Sequence, residues 1–475
     1  MLYVGRAQRT CINVASAITV PDGNWKSALF HRLPIFALLA LGVCAAVFGI
    51  TLVAQAEENR IPALEQLPVL KLSLSEAIQA ALDKNPNVRL FREKIEAARA
   101  VSRTQLGALL PNLSSQGKFN NQTFFLGTIG GRPVATSPFD IVDGRGSFTQ
   151  YLFSLSLIDR WRASRSAFQV AELESDATRN DTVATVALHY FEALKSQETL
   201  DARYANVGLY QDLVEFIKSR QSGGMATGLD TARLEAQLEN ERQRLELAKS
   251  DVERAKLILL NSIGIGYEVR VVLTDELKSY ERLIPTLQRA LELAFENRPE
   301  IKAQMQRIRT AELSLSSIKG ERLPSLSAQG DVGLIGKQID NTLTTYTVGV
   351  LLSVPIYDGG QRQGRIGESR SLLQQEEIKL ALVRNQVVME LREAIVTLTA
   401  AIEQHRIAKD GLKAAVTELS LARERLRVLS SNTLELSNAL FDIVRARDNI
   451  IDALFRMGAS QVNLARAQGD IEQLR

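Results

Sequence analysis

Cysteine is almost missing from this 475-residue chain: only Cys11 and Cys44 occur. Everything downstream of them is without disulfides, thiol nucleophiles or Cys-ligated metals. Histidine is also scarce, with only His31, His189 and His405. His189 sits beside Tyr190 and Phe191 and reads as a packed or surface residue rather than a ligand or base. There is no phosphate loop, no HExxH pattern and no nucleophile elbow, and Gly127–Gly131 does not open a helix as a dinucleotide loop would. The sequence therefore predicts no cofactor, no metal site and no enzyme.

Proline and glycine are absent over long distances. No proline lies between Phe139 and Ile284 or between Ile356 and Arg475, and no glycine between Ser147 and Val207 or between Glu368 and Asp410. Breaker-free segments rich in Ala, Leu, Glu, Arg and Gln predict helices. One over about 160–220 would be ~90 Å long, and one over about 361–429 longer still. Partner helices over about 229–263 and 434–468 complete two large hairpins, 160–263 and 361–468. Leu238, Leu245, Val252 and Leu259 recur every seven residues with Ala248 and Ala255 between them, a coiled-coil seam with small residues that allow close approach. Leu440, Val444, Ile451 and Leu454 repeat the idea. An ordinary cytosolic coiled coil is the plain alternative, opposed by the two features below.

The first is a targeting segment. Arg6, Arg9, Lys26 and Arg32 precede an apolar run from Leu33 to Val53, and Ala54-Gln55-Ala56 supplies a small-x-small exit. Residues 1–56 are expected to be a cleaved signal peptide, the alternative being a single spanning anchor. Val43 makes the surroundings of Cys44 a poor lipidation box. Without the four basic residues and one acidic residue of this segment, the chain carries 53 basic and 53 acidic residues. A chain with no net charge gives a nucleic-acid partner no electrostatic support.

The second is a duplication with short strands. Leu74, Ala77, Ala81, Pro86 and Val88 recur as Leu287, Ala290, Ala294, Pro299 and Ile301, 213 residues on. Leu110-Pro111-Asn112-Leu113 recurs as Leu323-Pro324-Ser325-Leu326. The period is too long for a solenoid and marks a duplicated half-molecule. The halves are 57–263 and 287–475, joined by a linker over 264–286. Each is expected to hold short helices, then two strands, then a hairpin. The strands are expected at 112–123 and 146–157, with Tyr151, Phe153, Leu155 and Leu157 on one face, and at 325–336 and 344–356. Leu326, Ala328, Val332 and Leu334 alternate with Ser325, Ser327, Gln329 and Asp331. Strands of ~10 residues with one apolar and one polar face suit a transmembrane β-barrel. Four strands cannot close one, so they belong either to a soluble sheet or to a barrel pooled from several copies. The connection between strands is long in the first half (124–143) and short in the second (337–343), and long loops on one side with tight junctions on the other match the outer-face and periplasmic asymmetry of outer-membrane barrels.

With these residues in place, the chain resembles the TolC-like outer-membrane efflux and secretion channels. The matching elements are the Leu-x-x-Ala-x-x-x-Ala-x-x-x-Asn-Pro run from Leu74 to Pro86, its copy ending Arg298-Pro299, the two Leu-Pro-x-Leu strand openings, and the turn from Ser353 through Pro355 to Gly359-Gly360. Leu157-Ile158-Asp159-Arg160-Trp161 departs from that turn by lacking the Pro and the Gly pair. The resemblance implies a mostly α fold with a β membrane part. Long hairpins would form an α-barrel, and four strands per chain would contribute to a 12-stranded transmembrane barrel in a homotrimer. It further implies a passive conduit in the outer-membrane lipid with a periplasmic extension. A periplasmic adaptor and an inner-membrane pump of RND or ABC type would be its partners. Asp230 and Glu435 align with the family's acidic gate at the hairpin tips, and Asn438 stands where a second acid can occur. The same acids also read simply as helix N-terminal residues. Gly223, Gly224, Thr227, Ser431 and Thr433 are expected at the adaptor-contact tips. Phe119, Tyr151, Phe153, Tyr346 and Tyr357 are expected at the lipid interface, with simple packing as the alternative. Drug, metal-ion and polypeptide cargo all remain open, as does a periplasmic coiled-coil scaffold or adaptor without a barrel.

Overall fold

The computed structural model describes residues 68–278, 284–428 and 433–471. The expected signal segment 1–56 and Ser431 lie outside the described residues. The chain from Leu67 on forms one compact unit.

Each half opens with two short helices, and their caps explain their limits. In the first half these are α1 (Leu74–Lys84) and α2 (Pro86–Gly107). Ser73 and Glu76 form a reciprocal capping box on α1, with Ser73 N–H donating to the Glu76 carboxylate at 2.8 Å and Glu76 N–H donating to Ser73 Oγ at 3.3 Å. Asn85 caps α2 by accepting from Asn87 N–H at 2.7 Å, and Pro86 takes the first turn, where a missing N–H costs nothing.

The second half repeats the pair as α5 (Leu287–Asn297) and α6 (Pro299–Gly320), following the hairpin helices α3 (Leu155–Ser222) and α4 (Gly228–Ile263) in chain order. Here Arg298 stands in place of Asn85. It makes no side-chain cap and is instead buried between Glu300 and Glu390, with Nη1 2.7 Å from Glu390. The second hairpin is α7 (Gln361–Arg427) and α8 (Thr433–Gln468).

At 1.5 Å per residue α3 and α7 are each ~100 Å long. The heptad seam of α4 is buried throughout, Ala248 and Ala255 included. One core cluster joins the far ends of both hairpins to α1, and a second joins α3, α4, α7 and α8 near the tips. A third packs α5 onto α7 and α8.

The linker 264–286 holds a strand that the sequence reading missed. β6 (Arg270–Leu273) pairs in parallel with β1 (Val69–Leu72). Two four-residue segments about 200 residues apart give no local periodicity to detect. Buried Tyr190 closes this corner, its hydroxyl 2.8 Å from the Asp275 carboxylate and 3.0 Å from Leu72 O. Gly264 ends α4 at φ +84°, where a Cβ would come within 2.8 Å of Asn85 Cα and Lys84 O. It therefore serves both as a left-handed cap and as the floor on which the α1–α2 junction rests.

Four strands form one antiparallel sheet in the order β2 (Asn112–Gln122), β5 (Phe139–Phe153), β7 (Ser325–Gln338), β8 (Asn341–Ser353). The central β5–β7 pairing joins the two halves. Three strand expectations need correction. The strand placed at 146–157 runs 139–153, and Leu155 and Leu157 belong to α3, because Ser154 Oγ accepts from Leu157 N–H and starts the helix. The strand placed at 344–356 runs 341–353, since Pro355 has no N–H for the ladder. The long connection 124–143 is no plain loop but folds in part into a separate hairpin, β3 (Phe125–Ile129) and β4 (Arg132–Ala135).

Candidate functional site

The register of the sheet fixes which side chains share a face. Leu113, Phe148, Gly330 and Val348 stand in one row across all four strands. Val332 with Tyr346, Ala328 with Val350, and Leu326 with Leu352 follow on the same face. Among the described residues most of these side chains stand open, while Phe148, Leu326 and Ala328 are half-buried. Val348 is 83% exposed, Tyr346 77% and Leu113 78%. Gly146 and Gly330 carry no side chain, which leaves an apolar trough of about 890 Å³ walled by Leu113, Phe148, Val332, Tyr346 and Val348.

The opposite face is mainly polar, and on the middle strands β5 and β7 it is the more enclosed. Ser327 is only 9% exposed. Ser114 and Ser147 hydroxyls are 2.7 Å apart, and Arg145 bridges Asp143 and Asp331 at 2.8 Å each. A water-soluble sheet buries its apolar face and exposes its polar one. This sheet leaves its apolar face bare, which is the pattern of a surface solvated by lipid. Among the described residues no helix is long and apolar enough to cross a membrane.

Of the five expected interface aromatics, Phe119 and Tyr346 lie on the exposed apolar face, at 68% and 77% exposure. Tyr151 and Phe153 do not share a face as expected. A bulge between them puts Tyr151 in register with Ser327, on the polar side, and Phe153 in register with Leu326, on the apolar side. One extra residue inverts the alternation, which a period-two reading cannot see. Tyr357 lies beyond β8, in the exposed turn before α7.

At the hairpin tips the structure gives the acids specific partners. Asp230 forms a capping box with Thr227, accepting from its N–H at 3.0 Å and its hydroxyl at 2.6 Å. These two bonds, with help from the Thr433 hydroxyl, hold the Asp230 carboxyl below its ordinary pKa. Asp230 thus ties the first tip to the second. Two further links lie close by: Gln237 Nε2 donates to Ser437 Oγ at 2.9 Å, and Arg220 Nη1 donates to Leu426 O at 2.6 Å.

Glu435 pairs with Arg425 of its own hairpin at 2.5 Å. Asn438, Gly223, Gly224 and Thr227 are exposed. Thr433 departs from its expected place on the contact surface: it is buried, facing Asp230. The first residue of α8 packs inward because the second hairpin leans on the first.

Farther along the hairpins lies a buried polar node that the sequence reading missed. Arg203 reaches Asp448 at 2.8 Å, and its Nη1 stands 3.6 Å from Glu241. Arg447 donates to Asn206 at 2.5 Å. Asn206 Nδ2 and Glu241 Oε2 are buried with no hydrogen-bond partner among the described residues. Charged residues occur so often in these helices that no local pattern sets this group apart.

Residues 77–265 and 290–470 match the family described as outer membrane efflux protein. This chain belongs to that family. The two matched segments fall on the two halves, and together they span the helices and the inside-out sheet. The efflux protein BepC of Brucella suis is 24% identical, over 71% of this chain and 77% of that protein. The outer membrane protein TolC of Vibrio cholerae is 22% identical, over 84% and 87%. The Campylobacter jejuni CmeC outer membrane channel superposes with a TM-score of 0.73 at 18% identity, covering 84% of this chain and 86% of that one, which shows a common fold. The protein is accordingly an outer-membrane efflux channel protein, and the reading as a periplasmic scaffold or adaptor without a membrane part is set aside.

Proposed function

We propose that three copies of this chain pool their four-stranded sheets into a 12-stranded barrel. The assembly is a passive conduit from the periplasm to the exterior. The observation that carries this reading is the inside-out sheet: exposed Leu113, Tyr346 and Val348 on one face, enclosed Arg145, Asp143 and Asp331 on the other. Among the described residues its outer strands β2 and β8 each pair on one side only. In lipid an unpaired strand edge costs several kcal/mol per backbone group, so the edges of neighbouring copies must meet. The polar faces then line the lumen, and Phe119 and Tyr346 sit towards the lipid interface.

The helical tips form the gate. Asp230, Glu435 and Asn438 of three copies ring a narrow axis, where like charges repel and cations collect. Opening parts the second hairpin from the first, breaking the Asp230–Thr433, Gln237–Ser437 and Arg220–Leu426 links. Exposed Gly223, Gly224 and Thr227 present the surface met by a periplasmic adaptor, which couples the channel to an inner-membrane pump of RND or ABC type. The pump, a separate chain, selects the cargo.

The test is the mass of the signal-cleaved protein extracted in detergent from outer membranes, followed by conductance in planar bilayers. A three-chain particle with low conductance that rises in Asp230→Ala is the expected result. A water-soluble single chain sinks the proposal.

A further inference from the structure

The β3–β4 hairpin is not needed to complete the sheet. It forms a two-stranded sheet of its own, at the end away from the helices. It continues the β2–β5 ribbon past the last sheet pair, Gln122 with Phe139, through the mutual bonds of Phe124 and Thr136 at 2.7 and 2.8 Å. From Gln122 to Ile129 an extended chain reaches about 20 Å farther. Gly130 and Gly131, at φ +59° and +78°, close a tight turn whose twist suits a hairpin. The ring of Phe124 rests on that of Phe139, 5.6 Å between centroids, and fixes the base.

The composition of this ribbon is unlike that of a solvated loop. Phe125 is 70% exposed, Leu126 65% and Ile129 74%. Arg132, paired in register with Ile129 at the tip, is the only charged residue from Thr123 to Phe139. An isolated two-stranded hairpin is marginal in water, and one that leaves Phe125, Leu126 and Ile129 of β3 bare is worse. It needs a surface that is apolar with an anionic rim. The outer membrane offers one directly next to the lipid-facing belt, since Phe119 lies close to the start of the hairpin on β2.

We propose that the β3–β4 hairpin is a membrane-surface anchor. Phe125, Leu126 and Ile129 enter the boundary between acyl chains and headgroups, and Arg132 binds an anionic headgroup phosphate. This is the arrangement of an interfacial segment, with an apolar body and a cation at headgroup level. It rests on the lipid-facing reading of the sheet, and the test separates the two.

Without residues 1–56 the chain has no cysteine, so Leu126→Cys, Val348→Cys and Thr417→Cys each give one thiol for an environment-sensitive fluorophore. The full signal-cleaved protein is reconstituted in phosphatidylcholine vesicles containing a fixed fraction of brominated lipid. Labels at 126 and 348 should be quenched, and the label at 417, on α7, should not. Brominated phosphatidylglycerol should quench position 126 about fivefold more effectively than brominated phosphatidylcholine, the enrichment expected of one basic side chain at a charged surface. Arg132→Gln should abolish that preference. Quenching at 348 with none at 126 overturns the anchor and leaves the barrel standing; it is the result expected if the hairpins of several copies meet over the mouth instead. Quenching at neither overturns both. Quenching at 126 with no headgroup preference overturns the role of Arg132.

Discussion

An arginine at position 348 tests the inside-out sheet most directly. Val348 is 83% exposed, in register with Gly330, and has Tyr346 and Val350 as its neighbours on the same face. If that face meets hydrocarbon, Val348→Arg costs about 2–4 kcal/mol per chain near the bilayer midplane. The low end is already about a 30-fold loss in the folding equilibrium. Three copies in one barrel would raise the cost to roughly 6–12 kcal/mol per assembly.

The control is Thr347→Arg, one residue away and so at nearly the same depth. It points to the opposite face, where Thr347 is in register with Asp331. There the new guanidinium keeps its water and stands near Asp331, whose carboxylate Arg145 already shares, so the cost should stay within about 0.5 kcal/mol. The difference between the two variants isolates the face from the strand. The assay is urea-dependent refolding of the signal-less chain into lipid vesicles, followed by gel mobility before and after heating and by the fluorescence of Trp161, the only tryptophan beyond residue 25. Should Thr347→Arg prove as damaging as Val348→Arg, the apolar face does not meet lipid and the reasoning fails.

Gly264→Ala, Gly469→Ala and Gly224→Ala should destabilise in that order by thermal unfolding in detergent. All three need positive φ, worth ~1–2 kcal/mol; a Cβ at Gly264 also meets backbone at 2.8 Å, one at Gly469 at 3.0 Å, and one at Gly224 nothing. Glu241→Ala should lower stability by ~3 kcal/mol by leaving Arg203 short of one buried partner, whereas Arg203→Met with Glu241→Leu should recover most of it; equal loss in single and double variants would contradict this. Thr227→Ala should cost ~1 kcal/mol in local opening of α4, read by amide exchange at Asp230 and Thr231. Because the folded-state pKa of Asp230 is depressed, the stability its carboxylate adds is complete above the unfolded pKa and is lost as pH falls through the folded value. Protection of those amides in the unsubstituted protein should therefore persist at pH 5 and fade only below about pH 4; fading at pH 5 would refute the cap.

The sequence by itself determined the parts whose cause is local or periodic. Breaker-free composition is enough for α3 and α7, since helix propensity adds up residue by residue. The seven-residue spacing picks out the buried seam of α4, and the Asn85-Pro86 pair marks the start of α2 because capping acts over three or four residues. Alternation located β7 and most of β8. Tertiary structure decided what depends on partners distant in sequence. Alternation says that a strand has two faces but not which one the fold leaves bare; only the register of four strands shows that Val348 is exposed while Ser327 is enclosed. A single bulge sends Tyr151 to the polar side, and β1 finds β6 only because α1, α3 and α4 bring them together. Thr433 and Asp230 look like independent helix starts until one hairpin leans on the other. Arg203, Asn206 and Glu241 look like ordinary surface polar residues until packing removes their water. Burial and register are properties of the assembled chain, so no window of sequence contains them.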